Sequence, residues 1–184
     1  MPKVGQVLLA KGRETAEFLA TGQSTGGEYV QLRALQPPGA VKAQPHVHLY
    51  QEESFHILSG RLTYAIDGKP GVAVTGDTVT TPPGTPHLHW NAEASEDLVM
   101  IQTLRPALDT DYFFESAYGL AHEQRIEGFW FTVQGLVWLD TFRGTIAAQR
   151  PPLWVQRALA RAASPLARLG GMRAVYRRFS GEEW

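Results

Sequence analysis

The chain has no cysteine among its 184 residues, so disulfides, thiolate zinc sites and cysteine nucleophiles are excluded. Long hydrophobic runs are missing too. The longest apolar stretch, Phe129 to Leu139, has eleven residues and is interrupted by Thr132, Gln134 and Gly135. A helical membrane span needs about 20. Met1 to Ala10 holds one lysine and no long apolar core, so no secretory leader is expected there. Charged residues make up only 19% and apolar residues 43%, the balance of a chain that builds a core. One domain with an appendage, located in the cytoplasm, is the expectation.

The net charge of −1 hides an asymmetry. Residues 1–140 carry 9 Lys/Arg and 16 Asp/Glu, a net −7. Residues 141–184 carry 8 Arg with only Glu182 and Glu183, a net +6. Such a split marks two regions with different work or different partners.

Residues 1–104 read as β. Glu28 to Leu35 alternates apolar and polar positions, and Arg61–Ile66 and Val72–Val74 flank Asp67-Gly68 and Pro70-Gly71, a hairpin with a longer loop. Thr78–Thr81 is β-branched, and Leu98–Leu104 is a further apolar strand. Short strands with regular Pro and Gly punctuation predict a sandwich or barrel. After Arg105-Pro106 the pattern turns helical. Asp109 or Thr110 can cap a helix through Ala121, and Phe129–Phe142 predicts a second. Pro151-Pro152 opens a third over Leu153–Ala163, and Ser164-Pro165 starts a short fourth that stops at Gly170-Gly171.

Three of the six histidines stand at fixed positions of two spaced motifs. The first is Gly39, six residues, His46-Val47-His48, four residues, Glu53, six residues, Gly60. The second is Gly76, five residues, Pro82-Pro83-Gly84, two residues, His87, three residues, Asn91. Together they resemble the two signature motifs of the cupin superfamily, over roughly residues 28–104. The first departs from the family pattern by one extra residue before His46. The resemblance implies a mainly β fold, a double-stranded β-helix (jelly-roll) barrel over 1–105, followed by C-terminal α-helices over 106–184. It also implies one divalent metal ion per chain on His46, His48, Glu53 and His87, a set similar to that of quercetin-cleaving dioxygenases. Iron, manganese, nickel, cobalt, copper and zinc all suit it.

Reading the residues alone agrees. Positions two apart on a strand face the same side, so His46 and His48 point together. A turn at 49–51 lets Glu53 return beside them, and the corner at Pro82-Pro83-Gly84 delivers His87. Three imidazoles and one carboxylate suit a borderline divalent metal and leave coordination positions open for chemistry. Glu52 competes with Glu53 as the carboxylate, and spacing to Gly60 favours Glu53, leaving Glu52 in solvent. By the same parity Gln44, Phe55 and His89 line a substrate pocket, with Tyr64 and Met100 as further candidates, while His56 faces outward. His122 has no assigned partner.

The functional expectation is a metal-dependent oxidoreductase of dioxygenase type acting on a small organic molecule, with Glu53 as a catalytic base. The alternatives are a metal-dependent isomerase, lyase or decarboxylase and a non-catalytic ligand-binding barrel. In the tail, Arg157, Arg161 and Arg168 at spacings of four and seven fall near one helical face with tryptophan and leucines. Docking on the acidic barrel, of the same chain or of a second subunit in a homodimer, is expected ahead of peripheral contact with an anionic membrane. No nucleic-acid-binding motif is evident.

Overall fold

The computed structural model describes residues 1–40, 42–123 and 128–180. The strands are β1 (Val7–Leu9), β2 (Thr15–Ala20), β3 (Val30–Gln36), β4 (His46–Val47), β5 (Glu52–Ser59), β6 (Arg61–Ile66), β7 (Lys69–Val74), β8 (Thr78–Thr81), β9 (His87–Trp90), β10 (Leu98–Arg105) and β11 (Ala147–Ala148). The helices are α1 (Thr110–His122), α2 (Gly128–Thr141), α3 (Leu153–Leu169) and α4 (Arg177–Ser180). Six strands form one antiparallel sheet in the order β1-β2-β3-β10-β5-β8, and five form the other as β11-β4-β9-β6-β7. This is the expected double-stranded β-helix with C-terminal helices.

Alternation builds the barrel. On β10, Leu98, Met100, Gln102 and Leu104 are buried while the residues between them are half-exposed. On β5, Glu53, Phe55 and Ile57 point inward and Glu52, His56 and Leu58 point out. Ala34, Phe55, Ile57, Leu62, Ala73, Leu98 and Met100 then pack as one core between the sheets. The β6–β7 hairpin is tighter than the sequence suggested. Asp67 and Gly68, with φ of 50° and 74°, make its two-residue loop, a conformation that suits Asp-Gly. Pro70 and Gly71 belong to β7 itself, and β7 is a sheet edge, where proline is tolerated.

The helical region has two kinds of contact. Phe114 and Tyr118 of α1 pack on Leu8, Phe18, Val30 and Leu32 of the barrel. Leu120, Val137, Trp138, Phe142, Val175 and Tyr176 form a separate core. The split predicted at Ser164-Pro165 does not occur, because α3 runs unbroken through Pro165. Pro165 and Arg161, whose carbonyl proline leaves without its helical donor, are both exposed, so water can serve that carbonyl.

Glu14, just before β2, yields a pH prediction. Burial raises its carboxyl from 4.5 to about 7, against a lowering hydrogen bond from Gln36. The folded chain thus keeps a proton that the unfolded chain releases, and stability from this group falls as pH rises between those values. Chemical denaturation at pH 5 and pH 8 should show the wild type losing about 3 kcal/mol more than Glu14→Gln. Equal losses in the two proteins would refute the assignment.

Candidate metal centre

The barrel's two sheets supply different donors. His46 on β4 sits directly opposite His87 on β9, in one sheet. His48 follows β4 by one residue. Glu53 comes from β5 in the facing sheet, opposite Thr81 of β8. The Pro82-Pro83-Gly84 corner is fastened to the first motif, since the Gly84 N–H donates to the His48 carbonyl at 2.8 Å. One donor atom from each of His46, His48, Glu53 and His87 lies within 4.8 Å of the others, so the group could hold a metal ion. His48, Glu53 and His87 are buried and His46 is partly so.

Each imidazole is oriented through its Nδ1. That of His46 donates to the Gln44 carbonyl at 2.8 Å, and that of His87 to the Thr85 carbonyl at 2.9 Å. That of His48 donates to the carbonyl of Thr145, a residue of the helical extension. A carbonyl accepts only, so Nδ1 carries the proton and Nε2 is left for the metal, the usual support of a ligating histidine. Glu53 is held as well. Gln102 Nε2 donates to its Oε1 at 2.7 Å, and His87 Nε2 lies 2.7 Å from its Oε2.

Electrostatics follow from this packing. Burial alone would raise the Glu53 carboxyl, but His48 and His87 together hold it well below the usual carboxylate range. Burial alone would lower His87, and its hydrogen bond and attraction to Glu53 carry it above its ordinary value. His46 is pushed down to about 3, by burial first and then by His48. His89, also buried, falls to about 4 for the same leading reason. The donor set is thus chemically suited to a divalent ion: one carboxylate, with imidazoles whose ring nitrogens converge on it.

The pocket residues divide. His89 shares the inward face of β9 with His87, its ring centroid 4.5 Å from that of Phe55, and its Nδ1 lacks a hydrogen-bond partner among the described residues. Met100 and Tyr64 pack with the barrel core. Gln44 does not line a pocket, because its side chain is exposed and only its carbonyl serves the site. The parity argument fails there since β4 begins only at His46. Glu52 and His56 face solvent, His56 beside the Thr78 hydroxyl at 3.0 Å. Gln102 and Thr145 were missed. Gln102 was legible in principle, as an amide on the inward face of an otherwise apolar strand. Thr145 acts through its backbone and left no mark in residue type.

The extension also joins the sheet. Ala147 and Ala148 of β11 pair antiparallel with Val47 and His46. The Gln156 side chain of α3 clamps Ala148, accepting from its N–H at 3.1 Å and donating to its carbonyl at 2.8 Å.

The sequence and the structure were compared with those of known proteins. Residues 33–103 match the family model described as Cupin domain. A quercetin 2,3-dioxygenase of Bacillus subtilis (strain 168) is 36% identical over 77 residues, which are 41% of this chain and 22% of that protein. The chain therefore aligns with under a quarter of that relative's length. Among solved structures, a predicted oxalate decarboxylase from Thermotoga maritima aligns with a TM-score of 0.49 at 20% identity, over 58% of this chain and 98% of the other. An RmlC-like cupin from Shewanella frigidimarina aligns with a TM-score of 0.49 at 19% identity, over 58% and 87%. Residues 33–103 of the barrel thus match a cupin domain, and the C-terminal helices lie outside the matched residues.

Proposed function

We propose that the protein is a metal-dependent oxidoreductase of the dioxygenase type, acting on a small organic molecule with an acidic hydroxyl or diketone group. The observation that carries this is the convergence of three Nδ1-anchored imidazoles on a buried glutamate. The partial likeness to a quercetin 2,3-dioxygenase supports the reaction class. A redox-active divalent ion bound to His46, His48, Glu53 and His87 would supply sites for dioxygen and for an anionic substrate oxygen.

The chain's own residues do the rest. Gln102 fixes the Glu53 carboxylate so that Oε2 faces His87. Glu53 is the base for the substrate proton. His89 offers its unpartnered Nδ1 to a substrate oxygen, and Phe55 beside it presents an apolar ring that keeps water out.

Oxygen uptake tests this reading. Protein loaded in turn with iron, manganese, nickel, cobalt and copper, given flavonols or β-diketones in air, should consume oxygen in step with substrate loss. Uptake should fall at least about a hundredfold in Glu53→Gln, which keeps shape but loses charge and base. Substrate conversion at the same rate without oxygen would replace this reading with a lyase or isomerase that uses the ion only as a Lewis acid.

A further inference from the structure

The helix α3 is amphipathic in the reverse of the usual sense. Its buried residues are Gln156, Ala160 and Ser164, a polar and small stripe spaced by four. Its outward side holds Trp154, Leu159, Leu166 and Leu169, with Ala158, Ala162 and Pro165 among them. Trp154 is 74% exposed, Leu166 71% and Leu169 86%, values ordinary for lysine and unusual for these residues. A surface helix of a globular domain turns its apolar stripe to the core, and this one turns it to solvent.

Charge says what covers it. Helix α3 has no Asp or Glu. Arg157 and Arg161 lie one turn apart along a flank of the apolar side, and neither has a carboxylate partner among the described residues. Arg168, by contrast, turns back to α2, donating to the Thr141 hydroxyl at 2.6 Å. Docking on the chain's own acidic barrel is thus not what occupies this face. Two-fold pairing of α3 with its copy supplies no carboxylate to either arginine row, because the helix has none. The same extension leaves Phe129, Trp130 and Phe131 exposed at the start of α2, the residue types that settle at a bilayer interface. At 17 residues, with arginines within it, α3 is too short and too charged to cross a membrane, and no described helix is long and apolar enough to do so.

We propose that α3 is a surface-lying membrane helix. It sets Trp154, Leu159, Leu166 and Leu169 into the headgroup boundary of an anionic bilayer, with Arg157 and Arg161 on its phosphates. The inference is independent of the metal centre's chemistry.

Co-sedimentation of the full chain tests it, with vesicles of phosphatidylcholine alone or with a quarter phosphatidylglycerol. Binding to the anionic vesicles only, weakened by salt, is expected. Arg157→Glu with Arg161→Glu should weaken it at least about thirtyfold, at roughly fivefold per lost positive contact and more for the reversal. Trp154→Ser with Leu169→Ser should abolish it. Trp154, Arg161 and Leu169 are exposed and Arg157 is half-exposed, so melting temperature and metal content should stay at wild-type values and show that the variants are folded. Failure to pellet with anionic vesicles overturns the proposal, as does wild-type binding by the charge-reversed pair. A dimer in sedimentation velocity that Trp154→Ser with Leu169→Ser splits, together with indifference to vesicles, assigns the face to a second copy instead.

Discussion

His87→Ala should bind divalent metal about a hundred- to a thousandfold more weakly than the wild type. Two losses combine. One of four donors goes, and a structural-type divalent site spreads roughly 10 to 16 kcal/mol over its ligands, so about 3 to 4 kcal/mol leaves with one imidazole. The removal also strips Glu53 Oε2 of the donor 2.7 Å away, leaving His48 Nε2 at 3.6 Å from Oε1 as the remaining histidine close to the carboxylate. Breaking a buried ion pair on one side costs about 3 to 5 kcal/mol, so the metal-free variant should also melt several degrees lower. Competition dialysis against a chelator, with metal read by mass spectrometry, measures the first effect and calorimetry of the metal-free proteins the second. Wild-type affinity in the variant would remove His87 from the metal centre.

The second large effect comes from a residue that is none of the four donors. Ala147→Pro should lower metal affinity about 10- to 100-fold, the range for loss of a partner that orients a ligand. Ala148 gives its N–H and carbonyl to Gln156, so by strand alternation those of Ala147 face β4. Proline there removes the N–H and displaces the strand that carries the Thr145 carbonyl to His48. Thr145→Val is the control. It keeps the carbonyl and deletes a buried hydroxyl that has no partner among the described residues, so its affinity should match the wild type with stability unchanged or higher. If Ala147→Pro binds metal as tightly as Thr145→Val while both remain folded, the carbonyl does not set the orientation of His48.

Most of the barrel was readable because alternation in a sheet is a two-residue rule that any strand displays locally. His46, His48, Glu53 and His87 were readable because they stand at fixed positions of two spaced motifs, which the barrel brings together from its two sheets. Gln44 was misplaced by extending strand parity through Pro45 into a segment outside any strand. The break at Pro165 was wrong because an exposed turn lets solvent replace the missing helical hydrogen bond. Arg168 shares its spacing with Arg157 and Arg161 but answers to the Thr141 hydroxyl on another helix, which no periodicity encodes. The contact of His48 with Thr145 spans 97 residues and runs through a main-chain carbonyl, so side-chain chemistry could not announce it.

The seating of β11 against β4 has an evolutionary consequence. Ala147 and Ala148 occupy a sheet edge that would otherwise end on His46 and Val47, two residues with open backbone groups. In this chain the extension is therefore part of the framework that holds the donor set. A lineage that dropped the extension would uncover that edge and free a metal ligand in one event. A lineage that altered the extension's register would retune the centre without touching any of its four side chains.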